Sequence, residues 1–134
     1  MEDINQISLF QFLTAVVEPR YPDVQWVYHT PLGGFRSKKT AVHLKRMGTK
    51  AGIPDLLLPL VRGQYNGLAI EMKYGNNKPS VKQHRWLLHL ATQRWLVYVE
   101  NDWMVCASRI VGYLGGNPKQ FSLTVPNDCI IITE

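Results

Sequence analysis

Residues 52–73 read GIPDLLLPLVRGQYNGLAIEMK, and within them two short apolar runs, 56–61 and 68–72, are bounded by Gly and Pro. Runs of this length and punctuation read as strands buried on both faces, with 62–67 as the turn between them. If the strands pair antiparallel about Gly63, partners share a constant index sum and Asp55 falls opposite Glu71. Side chains alternate faces along a strand, so Glu71 and Lys73 point the same way while Met72 points back into the core. Asp55, Glu71 and Lys73 are therefore expected in one place.

That grouping has a chemical use. A hard divalent cation such as Mg²⁺ takes oxygen ligands from one or two carboxylates and fills its remaining positions with water and substrate phosphate. A lysine beside it can orient or deprotonate the attacking water. The plainer reading is that Asp55 caps a turn and Glu71 and Lys73 form a solvated pair. The metal site is favoured because the acids sit inside apolar strands, where an unpaired charge is costly.

These residues also resemble a known family. Pro54-Asp55, Glu71-x-Lys73 and Gln83 on the following helix are similar to the PD-(D/E)XK nuclease core. PLGGFR at 31–36, AVHLKRMGTKAGIPDLLLP at 41–59 and GLAIEMK at 67–73 resemble a stand-alone virus-type replication-repair nuclease (VRR-NUC) domain of phage type. The resemblance covers roughly residues 2–114 and implies an α/β fold, a mixed central sheet flanked by helices. It implies that Asp55, Glu71 and the backbone carbonyl of Met72 hold Mg²⁺ or Mn²⁺, that Lys73 activates water, and that Gln83 supports the site by hydrogen bonding. Glu2 and Gln6 resemble the Glu-x-x-x-Gln that opens such domains, which makes Glu2 a further metal candidate, with Glu18 a competing one. Leu32 departs from the family, which usually has Asn there.

At 134 residues, 46% of them hydrophobic, the chain has apolar material for one core and is read as a single domain. No apolar stretch approaches the roughly 20 residues that span a bilayer, and MEDINQ does not open a signal peptide, so no membrane role and a cytosolic location (a host cytoplasm, for a phage protein) are expected. Cys106 and Cys129 lack CxxC spacing and read as reduced thiols. The net charge of +5 is unevenly spread: between Asp23 and Glu100 the only acids are Asp55 and Glu71, in a span that holds 12 of the 15 Lys and Arg residues. A basic field around two acids is the footprint of nucleic-acid binding.

Along the chain, the apolar spacing over 4–18 predicts an amphipathic helix with Ile7, Phe10, Leu13 and Val17 inward and Leu9 and Val16 widening the stripe, stopped by Pro19. Residues 24–29 alternate and read as the first strand. A Gly33-Gly34 turn leads to a helix over 37–47 with Ala41, Leu44 and Met47 inward and Lys38, Lys39, Lys45 and Arg46 outward. With Arg36 and Lys50 these form six cations suited to phosphate contacts that position DNA without reading bases. Ser80 caps a helix that turns Gln83, Trp86, Leu87 and Leu90 inward. His84 and His89 read as surface or partly buried residues rather than ligands. Strands are expected at 96–100 and 103–106, a closing helix at 108–114, and a C-terminal hairpin at 121–125 and 129–133, outside the family core, in an extension spanning 115–134.

The leading expectation is a metal-dependent, structure-selective DNA endonuclease. The resemblance implies branched substrates such as Holliday junctions or flaps. A junction has two symmetric cleavage points, which implies a homodimer, meeting through the first helix or the C-terminal hairpin. A sequence-specific restriction-type endonuclease and a non-catalytic DNA-binding module of the same fold are the alternatives. The former needs an additional base-reading element, and the latter would have lost Asp55, Glu71 or Lys73.

Overall fold

The computed structural model describes residues 2–30 and 37–127, with side chains from Ile4 onward in the first segment. Helix α1 (Glu2–Phe12) runs into a π-helical turn (Leu13–Val17), closed by the Glu18 amide donating to the Leu13 carbonyl at 2.8 Å. This segment buries Leu9, Leu13 and Val17, four residues apart, and leaves Ile4 and Ile7 more than half exposed. Leu13 and Val17 are inward as expected and Phe10 packs against the core, whereas Ile7 faces out.

The sheet has the order β1-β2-β3-β4, from β1 (Tyr28–His29), β2 (Leu56–Leu58), β3 (Gly67–Met72) and β4 (Trp95–Glu100). The first two pairings are antiparallel and β3 runs parallel to β4. Leu56 pairs with Ile70 and Leu58 with Leu68, the Gly63-centred register that puts Asp55 opposite Glu71. β2 is shorter than its apolar run because Pro59 has no N–H to donate to a ladder. The connection closes instead through paired hydrogen bonds between Arg62 and Tyr65.

Helix α2 (Lys38–Arg46) precedes β2, α3 (Val81–Thr92) joins β3 to β4, and α4 (Trp103–Tyr113) follows β4. One sheet face, with Leu56, Leu58, Leu68 and Ile70, packs with α1 and α4 around Leu9, Leu13, Ile110 and Val111. The other face, with Ala69 and Val97, packs on Leu87 of α3. Gly67 lies against the Trp95 ring so closely that a Cβ would come within 2.6 Å of it. This is the expected mixed sheet flanked by helices.

Three expected elements take other forms. Residues 22–26 are a 3₁₀ turn, Pro22–Trp26, not strand: Pro22 presets φ at the start, and the i+3 bonds Val24 N–H to Tyr21 O and Val27 N–H to Val24 O wind the backbone. Residues 103–106 open α4, because Asp102 caps the helix by accepting from the Met104 amide at 2.8 Å, and Cys106, Ala107, Ile110 and Val111 then fall on one buried side. No strand forms at 121–125. Phe121 ends a 3₁₀ turn (Pro118–Phe121) and packs edge-on to Phe12 and Tyr21. The second arm of the expected hairpin, with Cys129, lies outside the described residues, as does the 31–36 turn. Cys106 is a buried free thiol, as read, and burial pushes its ionisation upward. No helix among the described residues is long and apolar enough to cross a membrane.

Candidate active site

The site is built where β2 begins and β3 ends. The Asp55 amide donates to Glu71 Oε1 at 3.3 Å, and Asp55 Oδ2 accepts from the Met72 amide at 2.9 Å. Each acid is thus fixed by the other's strand. On the outer side of β2, the Thr30 amide donates to the Asp55 carbonyl at 2.8 Å, and His29 Nδ1 lies 3.1 Å from the same oxygen. Lys73 Nζ lies 3.7 Å from Glu71 Oε2, and the Lys73 amide donates to the Glu100 carbonyl at 2.8 Å, which anchors the residue on β4.

Glu71 is the unusual member. It is 1% exposed, and burial, with the neighbouring Asp55 charge adding to it and Lys73 opposing both, pushes its carboxyl up to about 8. Such a group holds its proton near neutral pH unless a cation compensates the paired charge. The donor set fits a hard divalent ion, which prefers carboxylate oxygens to the imidazole and thiol that a softer metal selects. Among the described residues no group of three or more His, Cys, Asp or Glu comes together, so the carboxylates that could hold such an ion there are those of Asp55 and Glu71.

Gly52 sets the approach of Asp55. Its φ is +88°, and a Cβ there would lie 2.8 Å from the Lys82 carbonyl carbon and 3.0 Å from the Gln83 amide nitrogen, so only glycine lets the chain pass the first turn of α3. Gln83 closes that turn. Its Oε1 accepts from the Ser80 amide at 2.8 Å while the Ser80 hydroxyl accepts from the Gln83 amide at 3.2 Å. Among the described residues Gln83 makes no hydrogen bond to Asp55, Glu71 or Lys73. Its demonstrated contact is the cap.

Asn5 of α1 donates to the Tyr74 hydroxyl at 2.7 Å, which ties the first turns of α1 to the residue after Lys73. Glu2 opens this helix, although its side chain lies outside the described residues. Glu18, the competing candidate, follows the π-helical turn at the opposite end of this segment from Glu2. Buried Gln6 Nε2 has no hydrogen-bond partner among the described residues.

Of the six expected DNA-contacting cations, Lys38, Lys39, Lys45, Arg46 and Lys50 are exposed, and Arg36 lies outside the described residues. α2 is capped by the Ser37 hydroxyl accepting from the Thr40 amide at 3.1 Å, but it buries no side chain. Met47 is 70% exposed and Ala41 is also exposed, leaving Leu44 half-buried. The expected inward face therefore does not form: α2 stands off the sheet over a groove that faces α3. Sequence reading missed the cations on the other wall, Lys82 and Arg85. Their three-residue spacing on α3 places them on one helical face and was the available signal.

A family model for the VRR-NUC domain matches residues 20–103. A solved structure of a VRR_NUC domain protein superposes with a TM-score of 0.71 at 30% identity, covering 87% of this chain and 90% of that one. No curated protein matches the chain.

Proposed function

The chain belongs to the VRR-NUC family, and from that premise we propose that it is a Mg²⁺- or Mn²⁺-dependent endodeoxyribonuclease selective for branched DNA such as Holliday junctions or flaps. Membership gives the coarser activity, nuclease-type processing of DNA. The observation that supports metal-dependent cleavage is the convergence of Asp55, buried Glu71 and Lys73, while selectivity for branched DNA is what the sequence resemblance implies. Asp55, Glu71 and the Met72 carbonyl would hold the cation, with Glu2 as a further ligand from α1. When bound, that ion supplies charge stabilisation to the phosphate under attack.

The chain's own residues supply the rest. Lys73 orients the attacking water and, when neutral, takes its proton. The new P–O bond forms as the bond to the leaving oxygen breaks, and that oxygen is protonated from solvent. Gln83 supports the site by holding the α3 cap against Gly52. Lys38, Lys39, Lys45, Arg46 and Lys50, together with Arg36, bind backbone phosphates.

A homodimer is part of this proposal, since paired cuts at a four-way junction need two sites related by a two-fold. Exposed Ile4 and Ile7 favour α1 as the meeting surface. Cleavage of a labelled panel of four-way junction, flap and linear duplex with Mg²⁺, Mn²⁺ or EDTA tests the reading. Metal-dependent cutting of the branched members is expected. Preferential cutting of plain duplex at one fixed sequence would establish a restriction-type enzyme instead.

A further inference from the structure

Between α2 and α3 lies a groove of about 930 Å³, at the upper end of the roughly 300–1,000 Å³ usual for ligand sites. Leu44 forms an apolar part of its wall, Lys45 and Lys50 stand on one side, and Lys82 and Arg85 on the other. Trp86 lines it and meets His89 edge-on, ring centroids 6.2 Å apart and planes at 87°. Among the described residues no carboxylate lines the groove and none pairs with these four cations. The groove adjoins the acids: Lys50 and Ala51 line it, Gly52 rests on the Lys82 backbone, and Asp55 follows three residues later.

Phosphate contact alone would need only the cations. An indole set among the cations of one wall and facing those of the other is instead the combination that binds single strands, whose bases stack on an aromatic ring while lysines and arginines follow the backbone. A duplex keeps its bases stacked on one another and has no face to offer Trp86. We propose that the α2–α3 groove is a binding site for unpaired nucleotides, with Trp86 as the stacking platform and Lys45, Lys50, Lys82 and Arg85 holding the phosphates. This deepens the nuclease reading and rests on it for biological meaning: the groove would receive the single-stranded part of a branched substrate beside the cleavage site.

The test is a fluorescence titration of the full chain in EDTA with a ten-residue oligothymidylate and with a duplex of equal length. Because no cleavage occurs in EDTA, the result is independent of the proposed activity. Single strand is expected to bind more tightly than duplex and to quench part of the tryptophan emission. Trp86→Phe, which keeps an aromatic face, is expected to retain binding and lose the quench, whereas Trp86→Ala weakens binding about 5- to 150-fold, the cost of losing one stacked base. Circular dichroism checks that each variant folds, and Lys82→Ala with Arg85→Ala offers a second route, expected to reduce the salt dependence of single-strand binding. A full quench persisting in Trp86→Phe, or unchanged affinity in both the alanine variant and the double variant, would overturn the proposal even if the protein cuts junctions. The expected quench in a protein that cuts nothing would keep the groove and remove the nuclease reading.

Discussion

Asp55 and Glu71 lock each other across the β2–β3 pair. The Asp55 amide donates to the Glu71 carboxylate, while the Asp55 carboxylate accepts from the amide that follows Glu71. The two acids thus reach one spot through backbone contacts that do not depend on a bound ion. Burial of Glu71, and after it the nearby Asp55 charge, is the cost, and both show in the raised pKa of Glu71.

The pH dependence of the metal-free protein follows from that shift. Glu71 has its pKa raised from 4.5 to about 8, so between these values the folded chain keeps a proton that the unfolded chain releases. Its contribution to stability is therefore lost as pH rises across that window. Thermal melts in EDTA should show Tm falling more steeply from about pH 5 to pH 8 in wild type than in Glu71→Gln. Equal slopes would mean that Glu71 is already ionised at neutral pH.

Metal affinity should depend on DNA. Two carboxylates and one carbonyl leave about half of an octahedral shell to water and phosphate, so calorimetry with Mg²⁺ is expected to show weak binding to free protein and tighter binding once uncut DNA is present. Tight binding without DNA would point to additional protein ligands.

Gly52→Ala tests the positioning of Asp55. A Cβ there meets backbone of α3, not a movable side chain, and the residue sits at positive φ. A loss of roughly 1–3 kcal/mol in stability is expected, with a larger proportional loss of cleavage than of DNA binding. Wild-type stability and cleavage would show that the Gly52–α3 contact does not hold Asp55 in place.

Replacing Lys39 and Lys45 together by Ala should weaken binding to all DNA sequences alike. The log-log salt dependence should flatten by about one unit per lost phosphate contact. An unchanged slope would make these exposed residues ordinary solvated surface.

The hairpin register could be read from sequence because it is local. A turn near Gly63 and two apolar runs leave one pairing that buries both, and the Asp55–Glu71 meeting follows from it. Residues 24–26 and 103–106 misled because alternation and β-branching are weak beside a preset proline φ or an Asp cap. On α1 the apolar residues Ile7 and Leu9 both fit an inward stripe by spacing, and only the packing against α4 selects Leu9. The groove was hidden for another reason: Lys45 and Trp86 are far apart in sequence, and only the placement of α2 against α3 makes them neighbours.

The measurement that bears most directly on the central claim compares wild type with Glu71→Gln on one labelled four-way junction with Mn²⁺, recording binding and cleavage on the same samples. The substitution removes a charge from a buried site and keeps its shape. Paired nicks are expected from wild type, with junction binding by the variant within a few-fold of wild type and cleavage reduced at least about 100-fold, the scale of losing one group that stabilises the transition state. Cleavage by Glu71→Gln at the wild-type rate would contradict the assignment of Asp55, Glu71 and Lys73 as the active site.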